Sequence, residues 1–172
     1  MIVTASASAS VSNLGPGYDI LGCCLLDPRD VVQAELTQTG RVELVEVIGD
    51  EGLLPRDAEE NCAGVVARDV LNRFGDSSMG VRLRLRKGLP LGSGLGSSAA
   101  SGVAAALATA ALIDSAISKD ELLDSCREGE RLATGSPHPD NVAPSLLGGF
   151  VACIPRGKEA NEQEAGLPNF AP

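Results

Sequence analysis

Pro90-Leu91-Gly92-Ser93-Gly94-Leu95-Gly96-Ser97-Ser98-Ala99-Ala100 joins a strand-like run to the most helix-prone segment of the chain. Glycine lets a backbone approach a ligand closely and adopt positive φ, so Gly92, Gly94 and Gly96 allow several N–H groups to point inward. Ser97 and Ser98 then open a helix that runs through Ala99, Ala100 and Val103 to Ala108 and ends near Ile113. The N-terminus of such a helix attracts an anion, and the stretch reads as a phosphate cradle. A P-loop is excluded because Gly96 is followed by Ser97-Ser98 rather than by Lys-Ser or Lys-Thr. The dinucleotide fingerprint fails because a third glycine is due at Ser97, and a nucleophile elbow fails because Leu91 and Leu95 flank Ser93. A flexible Gly/Ser linker is the bland alternative, and the strand before and helix after speak against it.

The strand that feeds the loop alternates Val81, Leu83 and Leu85 with Arg82, Arg84 and Arg86, the pattern of a half-buried strand with a basic outer face. Solvated surface is the ordinary reading of those arginines, and attraction for a nucleotide's charge is the other. Earlier in the chain, Ile2 to Ser10 suits a strand, and Asn13-Leu14-Gly15-Pro16-Gly17-Tyr18-Asp19 breaks it with turn residues. Val31 to Thr37 and Arg41 to Ile48 show approximate period-two patterning around Thr39-Gly40 and read as a hairpin. Gly49 to Glu60 is acidic and loop-like, and Asn61 precedes an amphipathic helix with Val66, Val70 and Phe74 on one face. Ser118-Lys119-Asp120-Glu121 carries a capping-box signature for a helix with Leu122, Leu123, Cys126 and Leu132. Spacing alone leaves Glu130 on the surface of that helix. Gly135 to Asn141 is a compact polar turn around His138, Val142 to Leu147 suits a short helix, and Phe150 to Ile154 a strand.

A length of 172 residues with 44% hydrophobic residues supports one domain with a substantial core. Aromatics make up only 2%, so Ala, Val, Leu and Ile must build that core, with Phe74 and Phe150 as isolated large fillers. A net charge of −9 argues against a nucleic-acid partner, yet a local cradle of amides with Mg²⁺ holds polyphosphate on an acidic protein. Cys23, Cys24, Cys62, Cys126 and Cys153 lack metal-type spacing and read as reduced, mostly buried thiols of a cytosol-like compartment. The uncharged run from Gly88 to Ile113 begins with Gly, Ser and Pro, which leaves too few apolar helical residues for a membrane span. The start lacks the features of a secretory signal, and a trimmed plastid segment is left open.

The stretch from Lys87 to Ser101 resembles the glycine-rich motif of the small-molecule kinases that act on galactose, homoserine, mevalonate and phosphomevalonate, and its wording is most similar to the homoserine kinase branch. The resemblance implies an α+β fold, a mixed sheet packed with helices, as in the N-terminal domain of that superfamily. It implies ATP and Mg²⁺, with Pro90, Leu91, Gly92, Ser93, Gly94, Leu95, Gly96, Ser97, Ser98, Ala99 and Ala100 around the triphosphate. Asn61 is then a contact near the base as well as a helix cap. Ser98 and Glu130 become the metal ligands, with Glu128 as competitor for the second place. The segment Asn13 to Asp19 is closely similar to one in homoserine kinases, and no lysine precedes Lys87, which argues against a mevalonate kinase. By that likeness Asn13 and Asp19 bind the amino-acid substrate, and His138, Asp140 and Asn141 complete the acceptor side. Asp140 is the catalytic candidate, either as general base or as an orienting group. Pro139 stands where relatives often carry alanine, which stiffens that loop.

The activity implied is transfer of the γ-phosphoryl of ATP to the hydroxyl of L-homoserine, in the cytoplasm, as part of threonine biosynthesis. The alternatives are a mevalonate-type alcohol kinase and a non-catalytic nucleotide-binding module derived from such an enzyme. The likeness covers residues 2–154, so the expected organisation is a nucleotide-binding domain over 1–154 and a polar, disordered tail over 155–172, without the family's C-terminal domain. A face left bare in that way favours a homodimer.

Overall fold

The computed structural model describes residues 1–154; the tail expected over 155–172 lies outside the described residues. The elements run β1 (Ile2–Ser12), a 3₁₀ turn (Gly15–Gly17), β2 (Leu21–Thr37), β3 (Val42–Ile48), α1 (Cys62–Phe74), β4 (Gly80–Arg86), α2 (Ser97–Ile113), α3 (Lys119–Thr134), α4 (Val142–Leu147) and β5 (Phe150–Ala152). Among the described residues they form one mixed sheet in the order β1-β2-β4-β3, with β5 on the first residues of β2. This is the expected α+β class.

The alternation in β4 behaves as a half-buried strand should. Val81, Leu83 and Leu85 are buried in the core, while Arg82 and Arg86 are exposed. α2 lies under the sheet and is buried almost all round, from Ala99 and Ala100 through Val103, Ala104, Ala105 and Ala106 to Ala108. Its small side chains let neighbours approach. Val66 of α1 sits so close to two glycines that a Cβ at Gly102 would lie 3.1 Å from its Cγ2 and one at Gly129 only 2.8 Å. The contact brings α3 down onto α1 and α2 and sets the height at which Glu130 meets the start of α2. Both expected caps are present: Asn61 accepts from the Ala63 amide, and Ser118 and Glu121 form the reciprocal capping box.

The hairpin expected of residues 31–48 does not form. β4 inserts between its two strands, antiparallel to β2 and parallel to β3. Charge explains the preference. Paired directly, β2 and β3 would set the acidic residues Glu35, Glu43 and Glu46 near one another, whereas Arg82 now lies between Glu35 and Glu43, and Arg84 opposite Glu46. Arg82 Nε donates to Glu43 Oε2 at 3.1 Å. The arginine face is thereby explained as sheet chemistry.

The first ten residues of β2 show no clean alternation and carry no strand signal of their own. Gly22 and Cys23 are flanked on one side by β1 and on the other by β5, and Leu21 pairs with β5 alone, so tertiary pairing rather than patterning extends them. Phe150 is not a core filler: β5 is a short edge and leaves its ring 63% exposed. Of the five cysteines, all unpaired, only Cys126 is fully buried. No helix among the described residues is long and apolar enough to cross a membrane.

Candidate functional site

Three positive-φ glycines, at 68° for Gly92, 73° for Gly94 and 64° for Gly96, coil the segment between β4 and α2. Gly96 is also the N-cap of α2 and supplies no side chain to its first amides, which leaves those donors to whatever occupies the space in front. At Gly96 a side chain has no room, because a Cβ would lie 2.3 Å from Ser10 Oγ. The loop forms one wall of a cleft of about 740 Å³, to which Gly92, Ser93, Gly94, Gly96, Ser97 and Ser98 contribute. Ser97 Oγ is buried there without a hydrogen-bond partner among the described residues.

The opposite wall comes from the loop before α1 and the end of α3, with Leu53, Leu54, Pro55, Asn61, Leu132 and Ala133. The loop is held by a buried carboxylate that sequence reading passed over: Asp50 accepts from the Leu54 amide at 3.2 Å and from Arg56 at 3.3 Å. Asn61 is 4% exposed and doubly engaged, accepting from Ala63 N at 3.0 Å and donating to Pro55 O at 3.0 Å. Asn61 thus caps the helix and fastens the wall with one side chain.

Ser98 and Glu130 meet across the floor. Ser98 Oγ donates to Glu130 Oε1 at 2.6 Å, and Glu130 is 5% exposed, contrary to the surface position that spacing alone suggests. Burial holds the Glu130 carboxyl above its ordinary range and the nearby Asp140 adds to this, while the Ser98 hydrogen bond and His138 oppose it. The competitor, Glu128, pairs instead with Arg131 at 3.1 Å on the outside of α3.

The acceptor-side candidates are partly assembled. Asp140 is buried, and its backbone oxygen rests on β2 at Gly22, where a Cβ would lie only 1.9 Å away. Gly22 is a packing requirement of the site that no motif announced. Asn141 lines the cleft, accepts from Ser10 Oγ at 3.1 Å and donates to Ser12 Oγ at 2.9 Å. Asn13 lines the cleft and its Oδ1 accepts from the Asp19 amide at 3.1 Å; both residues have a φ of 58°. His138 and Asp19 are exposed and, like Asp140, do not border the cleft. Pro90, Leu95, Ala99 and Ala100 do not border it either; Leu95 and Ala100 pack in a small core with Ala9 and Leu89.

Hydroxyls and the uncapped amides of α2 around one cleft can donate to an anionic group such as a phosphate, and the Glu130 carboxylate beside them offers a hard oxygen. The family model described as "GHMP kinases N terminal domain" matches residues 61–149, which run from the cap of α1 through the loop, Ser98 and Glu130 to Gly149. The chain belongs to the GHMP kinase family. Among its relatives, the homoserine kinase of Methanococcus maripaludis (strain C5) is 42% identical over 149 residues, 87% of this GHMP kinase chain and 49% of the relative. The crystal structure of homoserine kinase from Cytophaga hutchinsonii superposes with a TM-score of 0.82 at 42% identity, covering 88% of this chain and 48% of that one. The Methanococcus jannaschii mevalonate kinase shares the fold, with a TM-score of 0.68 at 15% identity. The chain thus spans about half the length of the curated relatives it matches, at 49% of the first of them.

Proposed function

We propose that residues 1–154 are the nucleotide-binding half of a homoserine kinase, a cytoplasmic enzyme of threonine biosynthesis that transfers the γ-phosphoryl of ATP to the hydroxyl of L-homoserine. The observation that carries the reading is the meeting of Ser98 and Glu130 at 2.6 Å beneath a glycine loop whose helix amides are uncapped. The relatives' names support the substrate.

In this reading the amides at the start of α2 bind the phosphate chain, with Ser97 Oγ as a further donor. The walls at Leu54, Pro55 and Ala133 exclude water from the base. Mg²⁺ fits the donor set: Ser98 and Glu130 offer hard oxygens, and the ion commonly takes one or two protein oxygens, completing its shell with phosphate and water. When bound, the ion would neutralise charge on the phosphate oxygens. Asp140, buried behind the cleft, would reach the substrate hydroxyl from its side, either as general base or as the group that orients it; Asn13 and Asp19 take the amino-acid end. Phosphoryl transfer depends chiefly on such alignment and charge stabilisation.

Calorimetric titration of Mg-ATP into the 172-residue chain, together with ADP release in the presence of homoserine or mevalonate, tests the reading. Binding with homoserine-dependent turnover supports it in full. Binding without turnover leaves a nucleotide-binding module. Absence of binding refutes it, and turnover with mevalonate alone overturns the substrate.

A further inference from the structure

Lys87 looks at first like a phosphate-binding lysine, since it lies at the base of the glycine loop and borders the cleft. Its hydrogen bonds say otherwise. Nζ donates to Asp30 Oδ2, to the Ser97 carbonyl at 2.9 Å and to Ser101 Oγ at 2.7 Å. An ammonium has three protons, and these acceptors take all of them. Asp30 is equally committed: Oδ1 accepts from the amides of Gly88 at 2.9 Å and Leu89 at 3.2 Å, and Oδ2 accepts from Ser101 Oγ at 2.6 Å. The side chains of Lys87 and Asp30 are 1% and 0% exposed, so water does not compete for these bonds.

The partners lie on both sides of the loop. Gly88 and Leu89 are the last residues before it; Ser97 and Ser101 are in the first turns of the helix after it. Gly88 is pressed against β2 so closely that a Cβ there would lie 2.1 Å from the Arg29 carbonyl oxygen. One buried pair, joining β2 to the end of β4, therefore grips the entry and the exit of the loop together.

We infer that Asp30 and Lys87, bridged by Ser101, are positioning residues that clamp the two ends of the glycine loop and hold its amides ready for a polyanion before any ligand arrives. The clamp rests on the nucleotide-binding reading for its purpose, though not for its existence. A loop ordered in advance binds more tightly because less conformational freedom is lost on binding.

The test must separate clamping from general stability. Removing either charge alone strands the other in the interior and invites unfolding. The double variant Asp30→Asn/Lys87→Met is neutral and similar in volume: the carboxamide oxygen it places at position 30 still accepts from the Gly88 and Leu89 amides, while the tie to the Ser97 carbonyl is lost. Hydrogen exchange at Ser10, whose amide donates to Leu95 O, and at Ala100, whose amide donates to Gly96 O, reports the exit of the loop. In the full chain, exchange at these two amides should quicken by about tenfold or more and Mg-ADP affinity should weaken by about tenfold. Ser118→Ala, which loosens the far end of α3, should change neither the affinity nor those two amides beyond its effect on global stability. Unchanged exchange at Ser10 and Ala100 in the double variant overturns the clamp. Should that variant not fold, Ser101→Ala decides: it keeps the ion pair and removes the bridge, and quicker exchange is expected, with a wild-type rate again overturning the idea. Failure of the wild-type chain to bind Mg-ADP would sink the nucleotide reading alone, because the exchange comparison needs no ligand.

Discussion

The Ser98 hydroxyl donates to the Glu130 carboxylate at 2.6 Å, joining the first turn of α2 to the later part of α3 across 32 residues of chain. The bond holds a carboxylate that is buried and lies beside Asp140, and both of these disfavour its charged form.

Glu130→Gln should therefore stabilise the ligand-free protein at neutral pH. Burial raises the folded carboxyl above its ordinary value of 4.5, so as pH climbs the unfolded chain releases its proton first. The contribution is at its full value below pH 4.5 and is lost as pH rises through the elevated folded value. Melting temperatures from about pH 4 upward should decline less in Glu130→Gln than in wild type, and Mg²⁺-dependent nucleotide affinity should fall by about tenfold or more. A variant that melts lower at every pH and binds Mg-ATP normally contradicts both parts.

Two glycines of the same loop should respond differently to alanine. Gly92 has a φ of 68° with nothing near its missing Cβ, so Gly92→Ala meets only the left-handed backbone penalty of about 1–2 kcal/mol. Gly96→Ala adds a clash with Ser10 Oγ at 2.3 Å and with Asn141 Oδ1 at 3.0 Å, at a further cost of about 1–3 kcal/mol. Denaturant unfolding of the two variants measures the difference, and equal losses would show that Gly96 is not wedged against β1.

Asn141→Ala should lower stability as well as acceptor binding. Its amide satisfies Ser10, which is 0% exposed, and Ser12, so its removal strands a buried hydroxyl at about 1–3 kcal/mol. Asn13→Ala strands no buried group; its cost of about 1 kcal/mol comes from the left-handed φ of 58°, which asparagine tolerates better than alanine, and it should weaken the amino-acid substrate. Equilibrium unfolding of both variants checks the contrast.

Cys62 should react slowly although it borders the cleft. Burial and the nearby Glu130 push its thiol up to about 11, and Sγ points to the Gly129 carbonyl at 3.4 Å. At about pH 8 only about one thiol in a thousand is ionised, so alkylation should run about a hundredfold below that of the unfolded chain and rise about tenfold per pH unit. Cys126, pushed up to about 12 by burial, should be slower still. Mass-resolved labelling at several pH values follows each site.

Most of the local architecture is legible in the residues. The alternation of Val81 to Arg86 announces β4, Ser118 and Glu121 announce the start of α3, and the glycines before Ser97 announce the loop. Each signal is carried by neighbours within a turn or two, where backbone hydrogen bonds and side-chain periodicity act. The site is legible only in part, because spacing could not distinguish Glu130 from Glu128 or assign Lys87 a role at all.

Local chemistry along the chain thus dictates most of the segments that become helix, strand or glycine loop, since caps, glycines and periodic apolar residues act on their own surroundings. The insertion of β4 between β2 and β3, the burial of Glu130 over Ser98 and the grip of Asp30 on Lys87, 57 residues away, arise only when the chain closes on itself. Those arrangements follow from charge pairing across strands and from packing and hydrogen bonds that offset the desolvation of buried charges, energies that exist between distant residues and leave no pattern within any one segment.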